Sequence, residues 1–206
     1  QGGITGNCAH YSDSGLFTNV NSKGVLNKDE YYYRAVYMDC VKALDFLETI
    51  PKIDPERLFV RGTSQGGALG MAVSGLDARP KLALVNVPSN SNIEYRIEHR
   101  HGSFTSVNDY LRAYPDNLER VYETLSYFDT MNLADRIQAK VFASVGLADP
   151  VCPALCYYAT YNRIRSEKQI CVYPFNEHDG ARATHVEREI RFIRESGILD
   201  KTGSFA

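Results

Sequence analysis

Apolar residues are arranged along the chain in short continuous runs that alternate with longer segments of helical character. The runs cover residues 58–60, 82–87, 140–146 and 169–174, and each predicts a buried strand. The segments predicted as helices cover residues 30–47, 67–73, 132–139, 151–165 and 186–194. Because strands that alternate with helices form parallel sheets, this order predicts an α/β fold, a mostly parallel sheet covered by helices on both faces.

Two further segments follow neither pattern clearly. Residues 1–28 are rich in Gly, Asn, Ser and Thr, which is typical of a loop. Residues 89–128 are polar and aromatic with only patches of helical spacing, and we expect them to form an insertion near the functional site. Repeats, low-complexity tracts and interdomain linkers are absent, so residues 1–206 are predicted to form a single domain.

The segment Gly62-Thr63-Ser64-Gln65-Gly66 has the form G-x-S-x-G and joins a predicted strand to a predicted helix. Strand, sharp turn and helix are the context of a nucleophile elbow, which projects a serine hydroxyl away from the sheet. The turn is tight, so small residues are expected on both sides of Ser64. The backbone N–H of Gln65, at the start of the helix, is predicted to face a developing oxyanion.

A serine hydroxyl needs a base to take its proton, and the base needs a carboxylate to orient it. In α/β-hydrolases these residues follow in the order Ser, Asp or Glu, His. Asp149 comes just after the strand at 140–146, and His178 just after the strand at 169–174. Singly, Asp149 before Pro150 is also typical of a turn, and His178 lies in a polar run typical of a solvated loop. Their shared order and position at strand ends favour a Ser64–Asp149–His178 triad.

The composition limits the other classes of function. A length of 206 residues, 44% of them hydrophobic, suits one globular domain with a real core. The net charge is −2 and no basic stripe or membrane-length apolar segment is present, so neither nucleic acid nor a membrane is an expected partner. Five scattered cysteines favour free thiols and a cytoplasmic location. Cys152-x3-Cys156 and His99-x-His101 are weak metal motifs, and we expect neither a metal nor a cofactor.

Several further motifs resemble those of one family, the acetyl xylan esterase / cephalosporin C deacetylase group, carbohydrate esterase family 7. The resemblance runs almost end to end. It rests on Gly2–Asn7, Asp29–Arg34, Val36–Asp39, Thr63–Gly67, Leu125–Asp129, Met131–Ile137, Ser144–Leu147, Asp149, Val151–Pro153, Ala159–Ile164 and Val172–Pro174.

The resemblance implies a serine esterase of the α/β-hydrolase fold that deacetylates sugars, xylo-oligosaccharides and related small esters such as cephalosporin C. It gives Ser64, Asp149 and His178 the roles of the triad and Gln65 that of an oxyanion donor. It also implies a homo-oligomer, a hexamer whose active sites face an internal cavity. One departure is that Glu177 and Asp179 flank the histidine, and these carboxylates are expected to raise its pKa if they lie close to it.

A second departure concerns the first residue. The chain opens at Gln1, without methionine and inside a matching motif. The resemblance implies that it holds roughly the C-terminal two-thirds of the domain, because members of that family carry about another third before this point. The first strands, the second oxyanion donor and any signal peptide would then precede Gln1, which leaves secretion open.

Two alternative functions remain open at the level of sequence. One is another serine hydrolase, either a peptidase of the prolyl oligopeptidase type or an esterase for longer acyl chains. The other is a degenerate hydrolase or fragment that binds partners without turnover. Comparing the hydrolysis of acetyl esters with that of peptide amides distinguishes an acetyl esterase from the first alternative. Labelling by a fluorophosphonate distinguishes it from the second, because only an activated serine reacts.

Overall fold

Four parallel strands form the sheet within residues 19–199, the part of the chain that this computed structural model describes. In spatial order they are β1 (Phe59–Thr63), β2 (Leu82–Asn86), β3 (Lys140–Gly146) and β4 (Lys168–Tyr173). Each neighbouring pair is parallel. The carboxyl ends of all four strands therefore lie at the same edge of the sheet, and the predicted parallel sheet is confirmed.

The α-helices of the described chain alternate with these strands. They are α1 (Tyr32–Glu48), α2 (Gln65–Leu76), α3 (Ile93–Glu98), α4 (Thr105–Ala113), α5 (Leu118–Ser126), α6 (Ala154–Tyr161) and α7 (Arg182–Glu195). Residues 19–26 form turns, as predicted, whereas the rest of the predicted N-terminal loop and the Gly2–Asn7 motif lie outside the described residues.

Alternate residues of the central strands pack on opposite faces of the sheet, as the two-residue period of a strand requires. Ala83 and Val85 of β2 join a core with Tyr157 of α6 on one face. Leu82 and Leu84 join Phe192 of α7 on the other. Helices therefore cover both faces, as predicted.

A third apolar cluster lies beyond α2 and fixes the segment between β2 and β3. It joins residues of α1, such as Val36, to residues of α3, α4 and α5, such as Ile97, Val107 and Leu125. The tyrosine hydroxyl of Tyr37 donates to the carbonyl of Phe128 at 2.8 Å. The helices of residues 89–128 are thus packed on the outer helix α1 and hold a defined position beside the carboxyl edge.

Two predicted helices differ from the structure. Residues 132–139 do not form an α-helix; 3-10 turns at Thr130–Asn132 and Ala134–Arg136 occupy this stretch, and the chain then becomes extended at Ile137. The helix predicted over 151–165 is shorter, because α6 begins only after Pro153, which is extended with ψ at 134°. The residues before Pro153 are instead drawn into a loop around the carboxylate of Asp149.

Candidate functional site

Ser64 lies at the sharp turn between β1 and α2, with φ at 56° and ψ at −115°. A positive φ is unfavourable for a serine, and such strain persists only where the surroundings hold it. The backbone N–H of Ser64 donates to Asn86 O at 2.8 Å, and Ser64 O accepts the N–H of Ser89 at 3.0 Å. The last residue of β2 and the loop after it therefore hold the strained residue on both sides.

The two glycines of the motif have different roles. A Cβ on Gly62 would lie 2.1 Å from the carbonyl oxygen of Gly66, so the turn excludes any side chain there. At Gly66, by contrast, a Cβ would meet no described atom within 4 Å other than its chain neighbours and the backbone of its own helix. Of the two glycines of the motif, sterics therefore require only Gly62.

The three residues predicted to form a triad are brought together at the carboxyl edge of the sheet. Ser64 follows β1 directly, Asp149 follows β3, and His178 follows β4. His178 Nε2 lies 2.9 Å from Ser64 Oγ, and His178 Nδ1 lies 2.8 Å from Asp149 Oδ2. Because a carboxylate can only accept, Nδ1 carries a proton, and in the neutral imidazole Nε2 is left to accept from the serine hydroxyl.

Asp149 is held rigidly, since its side chain is 0% exposed. Its Oδ1 accepts the backbone N–H groups of Val151 at 2.8 Å and Cys152 at 2.9 Å, while Oδ2 faces His178. Pro150 is therefore part of an Asp-centred turn, and the same carboxylate contacts His178. All of these bonds fix the direction in which the carboxylate points.

The imidazole of His178 lies among groups that favour its charged form. The side chain of Cys152, and after it the carboxylate of Asp149, raise the pKa of His178 to about 9, against an opposing effect of partial burial. The sequence predicts that Glu177 and Asp179 raise this pKa if they lie close to the imidazole. In the structure Glu177 is exposed, and Asp179 accepts a hydrogen bond from Asn176 Nδ2 at 3.1 Å.

Gln65 begins α2, so its backbone N–H lies in the first turn of a helix, where such groups have no partner within the helix. The side chain of Gln65 is turned away to a different partner, because its Nε2 donates to the hydroxyl of Tyr33 at 3.0 Å. Tyr33 belongs to α1 and is 2% exposed. The sequence reasoning missed this support, since Tyr33 fits equally well as an apolar residue on one face of α1.

Arg96 and Cys152 are two further site neighbours that the sequence did not indicate. Arg96 of α3 is buried and reaches the loop that carries Asp149. The sequence places Cys152 in a motif of the family resemblance, and otherwise predicts a free thiol or a weak metal ligand. A buried arginine has no signal in a single sequence, because Arg in a polar segment is normally exposed.

The weak metal motifs show no grouping of ligands. Within residues 19–199, no cluster of three or more His, Cys, Asp or Glu side chains could hold a metal ion. Cys152 and Cys156 are buried free thiols, while His99 and His101 stack with Tyr95. Cys8 lies outside the described residues. In the same part of the chain, no helix has the length and apolar character needed to cross a membrane.

The chain is also similar to known proteins over most of its length. The family model described as acetyl xylan esterase (AXE1) matches residues 3–196. The chain is 35% identical over 166 residues to acetyl esterase Axe7A of Xylanibacter ruminicola, an alignment that covers 81% of this chain and 36% of that protein.

Solved structures give the same picture. The acetyl xylan esterase from Paenibacillus sp. R4 is 38% identical with a TM-score of 0.88, and covers 95% of this chain and 62% of its own. Acetyl xylan esterase 1 from Thermoanaerobacterium sp. JW/SL YS485 is 29% identical with a TM-score of 0.84. That match covers 95% of this chain and 63% of the esterase chain. The chain therefore spans less than two-thirds of the length of each of these relatives. A puromycin hydrolase at 17% identity and a TM-score of 0.60 shares the fold alone.

Proposed function

Because the chain belongs to the acetyl xylan esterase family, we propose that the protein containing it is a serine esterase that removes acetyl groups from sugars. Acetylated xylo-oligosaccharides are the proposed substrates, together with related small acetyl esters such as cephalosporin C. The observation that carries the proposal is the hydrogen-bonded series Ser64 Oγ, His178 and Asp149, at 2.9 and 2.8 Å. It supplies a nucleophile, a base and an orienting carboxylate in one line.

The proposed reaction has two steps. Ser64 Oγ attacks the acetyl carbonyl while His178 Nε2 takes the hydroxyl proton, and the imidazolium then gives this proton to the departing sugar oxygen. Water next attacks the acetyl-enzyme with His178 again as base, releasing acetate and restoring Ser64. Asp149 keeps the imidazole in the tautomer that both steps need. The backbone N–H of Gln65 stabilises the oxyanion of each tetrahedral intermediate.

Ser64→Ala tests the proposal directly. Loss of a triad member costs on the order of 10⁴ to 10⁶ in kcat, so the variant should show almost no hydrolysis of p-nitrophenyl acetate. Ser103→Ala is the matched control, because Ser103 is exposed on the surface. If Ser64→Ala keeps more than about a tenth of wild-type kcat, Ser64 is not the nucleophile. Labelling of the wild type but not the variant by a fluorophosphonate would exclude a non-catalytic hydrolase fold.

Two features of the whole protein complete the proposal. The family resemblance supports a homo-oligomer, a hexamer, which sedimentation velocity tests. The four free cysteines of the described chain, Cys40, Cys152, Cys156 and Cys171, support a reducing, cytoplasmic compartment. No nucleic-acid or membrane partner is proposed.

A further inference from the structure

Arg96 is the largest fully buried side chain of the described residues, at 1% exposure. A buried guanidinium is costly unless it is well paired, and such groups are normally paired with carboxylates. Arg96 instead contacts neutral groups: Nη1 donates to Ser89 Oγ at 2.7 Å, and Nη2 donates to Val151 O at 2.9 Å and lies 3.7 Å from Cys152 Sγ. Its Nε has no hydrogen-bond partner within residues 19–199. The fold therefore keeps a positively charged group where its burial is energetically unfavourable.

The residues that accept hydrogen bonds from Arg96 are each joined by a further hydrogen bond to Ser64 or Asp149, the two ends of the triad. On one side, the backbone N–H of Ser89 donates to the carbonyl of Ser64 at 3.0 Å. On the other side, the N–H groups of Val151 and Cys152 donate to Asp149 Oδ1. A single planar guanidinium thus links the segment that clamps the nucleophile to the segment that orients the base.

The surroundings leave the guanidinium little freedom to move. The ring of Phe104 lies 4.7 Å from Arg96 Cζ and covers one face of it. A Cβ on Gly102 would lie 2.7 Å from the carbonyl of Val151 and 2.9 Å from Arg96 Nη2. Backbone 102–104 therefore closes over Arg96, and a side chain at position 102 would require Val151 or the guanidinium to move.

We propose that Arg96 is a positioning residue for the esterase reaction, whose guanidinium keeps the Ser64 clamp and the Asp149 loop in register around His178. The inference rests on the proposed function. Arg96 acts through Ser89, Val151 and Cys152 and does not touch the reacting atoms. The reaction is sensitive to such an arrangement, because a misplacement of about 1 Å at a reacting group can cost roughly 100-fold in rate.

The groups around His178 allow positioning to be told apart from simple stabilisation. The two groups that raise its pKa, Cys152 and Asp149, both lie on the loop that Arg96 holds. On its own loop, Glu177 is exposed, and Asp179 is engaged by Asn176 and lies 3.9 Å from Arg182. If Arg96 holds the loop, then its removal lets Cys152 and Asp149 move away from the imidazole. The pKa of His178 then falls, and the acid limb of the pH–activity profile moves to lower pH.

The experiment compares Arg96→Met with wild type in the full protein, using p-nitrophenyl acetate and a fluorophosphonate titration that counts active sites. Arg96→Lys is the second variant. It keeps the charge but loses the planar fork that reaches two segments at once, and it reports the effect if Arg96→Met does not fold. Arg100→Met is the control, because Arg100 is exposed and pairs with Asn108 and Asp109 away from the triad.

We expect kcat per titrated site to fall about 10- to 100-fold in Arg96→Met with KM little changed, and the acid limb to move to lower pH. Arg96→Lys should show smaller changes in the same directions, and Arg100→Met none. The proposal is overturned if kcat per site and the acid limb stay at wild-type values while only Tm or the number of active sites falls. A wild type that does not hydrolyse the ester contradicts the proposed function itself, which is a different outcome.

Discussion

At the scale of single residues, the state of His178 decides whether Ser64 can be activated. A base must be neutral to take a proton, yet Cys152 and Asp149 both favour the charged imidazole and raise its pKa to about 9. Activity should therefore fall as pH decreases below this value, at higher pH than for a histidine with its ordinary pKa. Replacing Asp149 would not test this pKa shift cleanly, because Asp149 also fixes the tautomer of His178. Cys152 can be replaced without that effect.

Replacing Cys152 by Ala removes the largest contribution to this shift, so the pKa of His178 should fall and the acid limb of kcat/KM should move to lower pH. Cys152→Ser should move it in the same direction, since it also removes the sulfur that favours the charged imidazole. The pH dependence of p-nitrophenyl acetate hydrolysis measures the shift, and Cys40→Ala is a control away from His178. A limb that stays in place in both variants would mean that Asp149 alone holds the imidazolium.

At the scale of elements, one carboxylate joins the start of the segment 89–128 to the residues that follow its end. Asp129 is 4% exposed, and its two oxygens accept the backbone N–H groups of Asn92 at 3.1 Å, Ile93 at 2.7 Å and Met131 at 2.9 Å. Two of these donors lie at the start of α3, the helix that carries Arg96. The position of α3 beside the triad therefore depends on Asp129.

Replacing Asp129 by Ala should lower the free energy of unfolding by about 3 kcal/mol, because buried N–H groups left without an acceptor cost about 1–3 kcal/mol each. Urea denaturation followed by circular dichroism measures the change. Asp116→Ala removes an exposed carboxylate and should change stability by less than about 0.5 kcal/mol. Equal stability of the two variants would show that apolar packing alone holds α3 in place.

The elements also show where sequence reasoning succeeds and fails. The strands and the elbow are recovered because buried apolar runs and the G-x-S-x-G spacing are strong local signals. Residues 132–139 are wrongly predicted as a helix because Leu133, Ala134 and Ile137 are spaced as on one helix face. In the structure these three side chains are buried, but the backbone around them forms 3-10 turns. The contact of Arg96 with Val151 joins positions 55 apart in the sequence, and no local pattern reports such a contact.

At the scale of the whole molecule, likeness to acetyl xylan esterases extends over 95% of this chain, whereas the acylaminoacyl peptidase of Pyrococcus horikoshii covers 72% of it at 16% identity. The peptidase likeness shows the common fold alone. The family likeness therefore favours an esterase over the peptidase alternative that the triad by itself leaves open.

We expect kcat/KM to be highest for acetyl esters, lower for butyrate and octanoate esters, and negligible for peptide amides. A small acyl pocket rejects a longer chain by overpacking, at a cost of about 1–3 kcal/mol. A series of p-nitrophenyl esters and a proline-containing peptide p-nitroanilide measure this order in one assay. Rates that rise with acyl length would favour a long-chain esterase, and amide cleavage at comparable rates would favour a peptidase.

The most direct test of the central claim is to trap the covalent intermediate. Wild-type protein is mixed with p-nitrophenyl acetate, quenched rapidly in acid and digested, and the peptides are analysed by mass spectrometry. The account predicts one acetyl group on the peptide that contains Ser64, absent in Ser64→Ala. Turnover of the ester with the acetyl group on another residue, or turnover that persists in Ser64→Ala, would contradict it.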